Sequence, residues 1–358
     1  MRKFAALLLI FLVAGSVLPA FAQQTAGTTL TVVTHDSFNV SEDVLAAFED
    51  QTGITVRILR SGDAGTMINQ VILTKDNPLG DVVYGLDNTF LTRALDADLF
   101  VPYESPLLDN VSDAFKLDPE FRVTPVDYGD VCLNYDVAYF QDNDIALPQS
   151  LADLTLPAYK GLLVVENPAS SSPGLAFLLS TIANFGTPED DTGNDGYTYL
   201  NYWQDLVAND VLVVDDWSSA YYGEFSGSSG DGQHPLVVSY ASSPPAEVYF
   251  AEKPPSQAPT GSIVAPQTCF RQIEFVGILD GTPNVDAAQQ FVDFMLSLPF
   301  QEDMPLQMFV FPVNSQAQLP EVFTEYAQIP DEPVVMDPET IGAHRSEWLQ
   351  AWAEVALR

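Results

Sequence analysis

The sequence predicts an α/β protein of two lobes, with hinge strands crossing between them and a ligand cleft at their interface. Short β-branched runs alternate with amphipathic helical patterns, an order typical of a parallel sheet covered by helices. A strand at residues 275–279 and a helix at residues 287–296 resemble a return to the first unit. We therefore place lobe 1 at residues 23–127 and about 270–315, and lobe 2 at residues 128–269 and about 316–358.

The first unit reads as βαβαβ. Its strands are predicted at residues 30–34, 54–58 and 81–84, with helices after Ser41 and after residues 62–65. Ser41 is a favourable N-cap residue, and Gly53 ends the first helix. Ligands bind beyond the carboxyl ends of strands in such sheets. The residues expected there are 34–38, 61–65 and 86–88.

A second series of elements begins at residue 128. Strands are predicted at residues 128–135, 162–165, 211–214, 236–240 and 275–279. Helices are predicted to start at residues 151–154 and to span residues 175–185, 197–207, 287–296 and 342–357. Loops rich in Gly, Asp, Asn or Ser are expected at residues 187–196 and 226–232.

The charge balance restricts the possible partners. The 358 residues include 49 acids and 13 bases, a formal net charge of −36. Nucleic acid is excluded as a partner because phosphate backbones need a basic surface, and an anionic membrane face is disfavoured for the same reason. A hydrophobic fraction of 47% and an aromatic fraction of 11% are ample for a packed core.

The N-terminal segment predicts secretion to the periplasm or the cell exterior. Arg2 and Lys3 precede an apolar run over residues 4–18, and Ala20-Phe21-Ala22 forms a small-x-small cleavage site before Gln23. Residues 1–22 are therefore interpreted as a signal peptide. The apolar run is shorter than the ~20 residues that a membrane span needs, so we expect no membrane span of the protein's own.

Two cysteines, Cys132 and Cys269, would lie in an oxidising compartment. They allow one disulfide. The alternative of two buried free thiols stays open at this point.

The sequence contains few candidates for catalytic residues. Only His35, His234 and His344 are present, and no nucleophile elbow, zinc-protease motif or P-loop occurs. The pair His35-Asp36 reads better as a polar loop than as a catalytic base. We expect no catalytic residue and no resident metal.

Aromatic residues follow several predicted strands. Trp217, Tyr221, Tyr222 and Tyr240 lie on or near these loops. Aromatic faces there suit a flat or cationic ligand through stacking and cation–π contact. Core packing is the alternative reading.

Serines lie in two similar positions. Ser170, Ser171 and Ser172 precede Pro173 at a predicted helix start, and Ser242-Ser243 follow Tyr240. Hydroxyls and free N–H groups at a helix N-terminus bind an anion or a hydroxyl group. Helix capping alone is the alternative.

Several motifs, in this order, resemble the periplasmic thiamine-binding proteins of ABC importers. They are THDSF at residues 34–38, GLDN at 85–88, VDYG at 126–129, SSSPGL at 170–175, WSSAYYGEF at 217–225, SYASSP at 239–244 and SEW at 346–348. Each motif is weak alone, but their shared order extends over most of the chain.

The resemblance implies a two-lobe periplasmic-binding-protein fold that closes on a small-molecule cation: thiamine or its mono- or diphosphate. It implies an ABC membrane permease as partner, a monomer and no cofactor. By motif, the residues expected to contact the ligand are Asp63, Ala64, Ser171, Ser172, Trp217, Tyr240, Ala241, Ser242 and Ser243. Additional candidates are His35, Asp36, Asp87, Tyr221 and Tyr222.

The sequence departs from the family pattern at the site. His35 replaces a family tyrosine, Gly62-Asp63-Ala64 replaces E-D-G, Ala246 replaces a second tyrosine, and the doublet Tyr221-Tyr222 carries an extra aromatic.

Two alternatives accompany this hypothesis. The Tyr221-Tyr222 doublet also fits a ferric-ion-binding protein of the same superfamily, because tyrosinates hold Fe³⁺. A thiaminase-like enzyme of the same fold would use a cleft cysteine, for which Cys132 is the candidate.

Overall fold

The computed structural model describes residues 27–190, 196–229, 231–252 and 257–357. The predicted signal peptide, residues 1–22, lies outside the described residues, as do residues 191–195 and 230 of the two predicted loops. In the described ranges, no helix combines the length and the apolar character needed to cross a membrane.

The strands are β1 (Thr28–Thr34), β2 (Ile54–Arg60), β3 (Val82–Asp87), β4 (Phe100–Val101), β5 (Thr124–Asp136), β6 (Leu163–Glu166), β7 (Leu212–Val214), β8 (Leu236–Tyr240), β9 (Thr260–Ile263), β10 (Phe270–Leu279) and β11 (Phe311–Pro312). The helices are α1 (Glu42–Thr52), α2 (Ala64–Leu73), α3 (Leu91–Asp96), α4 (Val137–Asp142), α5 (Ser172–Phe185), α6 (Tyr199–Ala208), α7 (Ser226–Ser229), α8 (Pro244–Tyr249), α9 (Val285–Leu296), α10 (Leu298–Gln307), α11 (Glu321–Tyr326) and α12 (Pro338–Ala356). Short 3-10 helices occur at Pro106–Asn110, Asp113–Phe115, Leu151–Thr155 and Pro157–Tyr159, and a π-helical turn at Ser219–Glu224.

The principal strands form a continuous sheet in the order β2-β1-β3-β10-β5-β8-β6-β7. Strands β2, β1 and β3 are parallel and form the first wing, and β8, β6 and β7 are parallel and form the second wing. The long strands β10 and β5 run antiparallel between the wings and connect them. This arrangement confirms the two-lobe α/β fold with crossing strands, while the exact lobe boundaries stay a prediction.

Local signals in the sequence explain the first wing. Strand β1 is fully buried at Leu30, Val32 and Val33, as its β-branched run predicts. Helix α1 ends at Gly53, which has φ 70° and donates its N–H to the carbonyl of Glu49. Ser41 is the N-cap, but its hydroxyl makes no capping bond. Its backbone N–H instead donates to Asp303 Oδ2 at 2.8 Å, so a residue of α10 fixes this helix start.

The second wing packs around helix α5, which is buried from Ser172 to Ile182. Helix α6 packs on α5, and α12 packs on α6. The rings of Trp203 and Trp352 meet edge to face with centroids 5.5 Å apart, and the Trp203 indole N–H donates to Thr181 Oγ1 at 3.1 Å. Burying a large apolar side chain stabilises the fold by about 1.5–3 kcal/mol.

A disulfide ties the two crossing strands together. Cys132 lies on β5, Cys269 directly precedes β10, and the structure joins them with Cα atoms 4.3 Å apart. Both side chains are buried. No free thiol therefore remains at Cys132, and the structure contradicts both the two-thiol alternative and the Cys132 nucleophile.

Several local predictions were wrong or incomplete. Residues 151–154 begin a 3-10 helix, Leu151–Thr155, because Ser150 and Asp153 form a capping box over a short turn. Residues 226–229, predicted as loop, form α7, whose Ser and Gly residues show no apolar periodicity. Leu86 and Asp87 belong to β3, not to the turn after it. Among the numbered strands and helices, those missed were β4, β9, β11, α3, α4, α8, α10 and α11.

Candidate ligand-binding cleft

A cavity of about 330 Å³ lies where the two wings face each other. Its lining comes mainly from loops after β1, β2, β6, β7 and β8, because the carboxyl ends of parallel strands meet at one edge of each wing. The predicted residues that line it are His35, Asp36, Asp63, Ala64, Ser172, Trp217, Tyr221, Tyr222, Tyr240 and Ser243. The other predicted residues, Ser171, Ala241, Ser242 and Asp87, are fully buried and are not among the lining residues.

Asp63 is the N-cap of α2 and contacts both wings. Its Oδ1 accepts a hydrogen bond from Ala64 N–H at 2.8 Å, and its Oδ2 accepts one from the backbone N–H of Trp217 at 3.3 Å. Burial raises the pKa of Asp63 above its usual value, although the N–H groups of Ala64 and Trp217 and the nearby Ser171 hydroxyl oppose that shift. The carboxyl is therefore held in place but only partly compensated.

A second hydrogen bond joins the wings beside Asp63. Gly65 N–H donates to the Ser170 carbonyl at 3.1 Å. A Cβ atom at Gly65 would lie 2.6 Å from that oxygen, so only glycine allows α2 to approach the loop before α5 this closely. The structure thus describes a closed arrangement of the wings at this point.

Trp217 presents an aromatic face to the cavity. Its indole stacks on Tyr221, with centroids 5.0 Å apart and planes 15° apart, and its Nε1–H donates to Ser239 Oγ at 3.0 Å. The Tyr221 hydroxyl donates to Glu247 Oε1 at 3.0 Å, and its ring is buried. Tyr222 is 56% exposed and lies at the mouth of the cavity. Stacking and hydrogen bonds together fix the orientation of the Trp217 ring.

Tyr240 closes another side of the cavity at the end of β8. Its hydroxyl donates to Gln272 Oε1 at 3.2 Å. Its ring lies against Gly129, where a Cβ would come within 2.8 Å of Tyr240 Cδ1. Glycine in the crossing strand therefore makes room for this ring.

The N-terminus of α5 opens toward the cavity. Ser171 is its N-cap and Ser172 its first residue. Both hydroxyls are buried, and neither has a well-formed hydrogen bond within the described protein. Ser172 lines the cavity directly. The Ser172 hydroxyl and N–H groups at the start of this 14-residue helix offer donors to a hydroxyl or an anionic tail.

The second serine pair is arranged differently. Ser243 lines the cavity, and its Oγ lies 3.0 Å from Ser239 Oγ and accepts a hydrogen bond from Tyr240 N–H at 3.3 Å. Ser242 is buried behind it, and its hydroxyl has no hydrogen bond within the described protein. The Ser243 side chain thus supports the Trp217 and Tyr240 loops.

Glu274, a carboxyl on β10 that was not predicted from the sequence, also lines the cavity. His35 Nε2 lies 3.4 Å from Glu274 Oε1, and the Tyr84 hydroxyl is 3.1 Å from Glu274 Oε2. Burial opposes protonation of His35, but the charge of Glu274 raises its pKa above the usual value. The pKa of Glu274 is lowered despite burial because His35 and Tyr84 favour its charged form. His35 and Glu274 therefore form an ion pair.

Other buried carboxyls surround this pair. Asp127 Oδ2 lies 2.5 Å from the Tyr84 hydroxyl, and burial together with Glu274 raises the pKa of Asp127 well above its usual value. Burial raises the pKa of Asp87 to about 7, and the charge of Glu274 adds to that shift. At the end of β6, Glu166 has neither carboxyl oxygen hydrogen-bonded within the described protein. These groups give the cavity an acidic surrounding.

A signal for these acids was present in the sequence. Glu274 and Glu166 interrupt apolar strand runs, FRQIEFVGIL and LVVE. A carboxyl within a strand buried on both faces has no solvent to face, so it marks either a partner or a site. The strand pattern is the same whether the buried carboxyl pairs with another side chain or belongs to a binding site.

The rim of the cavity also includes residues that the sequence analysis did not identify. Met308, Phe309 and Val310 follow α10, and Phe250 follows α8 on the opposite side. Phe250 is 70% exposed, and its ring centroid lies 5.7 Å from that of Phe309. Ala246, which stands where the related family has a tyrosine, also lines the cavity.

The described residues contain no group of three or more His, Cys, Asp or Glu side chains placed to hold a metal ion. The groups in and around the cavity are aromatic faces, buried carboxyls and a helix N-terminus. Such a combination suits an organic cation with a polar tail.

Comparison with known proteins gives consistent results. The family described as bacterial extracellular solute-binding protein matches residues 43–331. The thiamine-binding periplasmic protein of Salmonella typhimurium is 28% identical over 365 aligned positions, covering 100% of this chain and 100% of that protein. A solved structure described as a periplasmic thiamin binding protein has a TM-score of 0.78 at 26% identity, covering 94% of this chain and 100% of that one. Iron-bound HitA from Pseudomonas aeruginosa shares the fold, with a TM-score of 0.71 at 20% identity over 92% of this chain and 99% of that one.

Proposed function

Because the chain belongs to the bacterial extracellular solute-binding proteins, we propose that it captures thiamine, or thiamine mono- or diphosphate, and delivers it to an ABC permease. It works in the periplasm or at the cell exterior. We infer a monomer that needs no cofactor and catalyses no reaction. The relatives are transport proteins, and the cleft is built for binding.

The observation that carries this proposal is the pairing of Trp217 with Asp63 at the cavity. Thiamine joins a flat aminopyrimidine to a cationic thiazolium. An aromatic face next to a carboxyl matches both parts, and a cation–π contact is worth about 2 kcal/mol when it is desolvated. Behind the site, Asp87, whose pKa is raised to about 7, carries a negative charge above that pH, whereas the charge of Glu274 is balanced by His35.

The polar end of the ligand fits the start of α5. A hydroxyethyl or phosphate tail would accept hydrogen bonds from the Ser172 hydroxyl and from N–H groups of the first turn, in which Pro173 supplies none. The cavity volume of about 330 Å³ is within the range of small-molecule sites. Both parts of the ligand would thus bind across the interface of the wings.

Binding across the interface would favour the closed arrangement. The hydrogen bonds Trp217 N–H to Asp63 and Gly65 N–H to Ser170 form only when the wings meet. A ligand that contacts both wings binds the closed state better than the open one and shifts the population toward it. The permease would then recognise the closed form.

Ferric ion is the weaker alternative. Tyrosinate ligands must lose a proton, but burial and the neighbouring Glu247 raise the pKa of Tyr221 well above its usual value. Its hydroxyl also donates to Glu247 already. This phenol is therefore a poor iron ligand in the observed arrangement.

Isothermal titration of ligand-stripped protein with thiamine, its two phosphates and Fe³⁺-citrate tests the proposal. Saturable heat with at least one thiamine compound is expected. No heat with any of the three would overturn it, and a charge-transfer band with Fe³⁺ would favour iron. Incubation with thiamine and aniline should leave thiamine unchanged, whereas its loss would reveal an enzyme.

A further inference from the structure

A second cavity, of about 200 Å³, lies between α3 and α12. Its lining includes Arg93 and Arg345, and we call it the arginine pocket. It shares no lining residue with the ligand cleft. Nothing in the proposed function uses it.

Arg345 is a buried cation with little compensation. Its side chain belongs to a residue only 8% exposed, and its guanidinium lies 4.5 Å from the centroid of the Phe90 ring. Its Nε is buried and has no hydrogen bond within the described protein. The carboxyl of Asp87 acts on it electrostatically, but no described carboxylate stands at ion-pair distance from it. A buried charge without a partner is costly, so the pocket is built for a counter-ion.

Arg93 adds a second cation at the rim. It is exposed and also has no ion-pair partner among the described residues. All other lysines and arginines of the described residues donate hydrogen bonds. Arg93 and Arg345 line the same cavity, and burial, followed by the charge of Arg93, lowers the pKa of Arg345 to about 10. In a chain with 49 acids and 13 bases, this pair is unusual.

The rest of the lining fits a small anion. Asp96 also lines the pocket, so two cations face one carboxylate and the balance is positive. Ser346 offers a hydroxyl, whereas the Thr92 hydroxyl already donates to the Pro338 carbonyl. A Cβ at Gly342 would lie 2.7 Å from Thr92 Cγ2, so α12 packs closely on α3 and the pocket has a fixed floor.

We propose that the arginine pocket binds a small oxyanion, of the class of inorganic phosphate or sulfate, between Arg93 and Arg345. Guanidinium groups bind such oxygens in pairs with charge-assisted hydrogen bonds. The anion would supply the partner that Arg345 lacks. This site is independent of the cleft and does not depend on the identity of the cleft ligand.

The test is titration of the full protein with inorganic phosphate and with sulfate in a buffer of a bulky amine at low ionic strength, followed by calorimetry and, for phosphate, by ³¹P line width. We expect saturable binding of one equivalent. Arg93→Gln should weaken it at least about fivefold, and Arg345→Gln more. The matched control Arg57→Gln removes an exposed arginine of β2 and should leave it unchanged.

The variants also locate the anion. Arg93 is exposed, so Arg93→Gln tests the proposal even where Arg345→Gln fails to fold. Binding that persists in Arg93→Gln but disappears in Ser172→Ala would place the anion in the cleft and overturn the proposal. Absence of saturable binding for both anions would overturn it as well.

Discussion

The backbone N–H of Trp217 donates to Oδ2 of Asp63 at 3.3 Å, so a carboxyl at the start of α2 holds the aromatic loop of the opposite wing. The same carboxyl lines the cavity. Asp63 therefore links two properties: the negative charge of the site and the closure of the wings.

Replacing Asp63 should weaken thiamine binding. Asp63→Asn removes the charge but keeps the N-cap oxygen, and Asp63→Ala removes both. We expect at least a tenfold loss of affinity in each, about 1.4 kcal/mol, measured by calorimetry. Asp43→Asn, on the exposed first turn of α1, is the control and should bind normally. Unchanged affinity in both Asp63 variants would reject this site.

Replacing Trp217 should remove the stacking face. We expect Trp217→Ala to lose at least about tenfold in affinity for thiamine, and Trp217→Phe to lose less because it keeps a π face. Ligand quenching of tryptophan fluorescence should disappear in both variants, since the other three tryptophans, Trp203, Trp348 and Trp352, are buried in the core. Quenching that survives in Trp217→Ala would contradict the assignment.

Stability should depend on pH through Asp87. Its pKa is raised to about 7 in the folded protein, first by burial and then by Glu274, from a usual value of 3.8. Its contribution is therefore complete below about pH 4 and is lost as the pH rises toward 7. We expect Asp87→Asn to be more stable than the parent at pH 8, by about 2–4 kcal/mol at most, with a smaller gain at pH 5.

Thermal unfolding of the ligand-free proteins at pH 5 and pH 8 measures that difference. His35 also has a raised pKa and loses its contribution in the same direction, and the charge of Asp87 is one cause of that shift. The comparison of variant with parent therefore measures Asp87 together with its effect on His35. An equal shift of Tm at both pH values would contradict the buried-charge explanation.

Reduction of the Cys132–Cys269 bond should destabilise the protein. The bond closes a sequence separation of 137 residues, so its loss removes a constraint on the unfolded chain worth about 2–5 kcal/mol. We expect a lower Tm with reductant and in Cys132→Ala/Cys269→Ala, and no further effect of reductant on that double variant. A thiol assay that detects free cysteine in the native, unreduced protein would contradict the bond.

Gly65 should control closure without changing the chemistry of the cleft. Gly65→Ala places a methyl group against the Ser170 carbonyl, and we expect thiamine affinity to fall at least about fivefold because the closed state is disfavoured. Gly223→Ala is the matched control, since a Cβ there has no neighbour within 4 Å. Similar affinities of the two variants would show that the Gly65 contact is unimportant.

Local patterns predicted most of the fold. Strand β8 was predicted to the residue, and α1 ends at Gly53 as expected, because these elements depend on short-range periodicity and capping. Helix α10 was missed because Pro305 lies inside it and its apolar residues follow no helical period. The two-residue strands β4 and β11 form only by pairing with β10 and β5, which no local pattern encodes.

The site residues also separate into those that local patterns predicted and those that depend on contacts between distant segments. Trp217, Tyr240 and Ser172 were predicted because loops after strands converge at one edge of a sheet. Ser171 and Ser242 belong to the predicted serine positions and Ala241 was carried over from a motif, and the structure buries all three behind the lining. Glu274 was missed because its role depends on His35, which is distant in sequence and adjacent only after folding.

The buried carboxyls around the cleft have a further consequence for how the protein is tuned. Burial disfavours the charged forms of Asp87 and Asp127 and raises their pKa values, so the acids that suit the site to a cation also destabilise the fold. Substitutions that replace these acids with neutral residues should raise the unfolding temperature and lower the affinity for a cationic ligand. Selection for high ligand affinity and selection for high thermal stability therefore act on the same few side chains, in opposite directions.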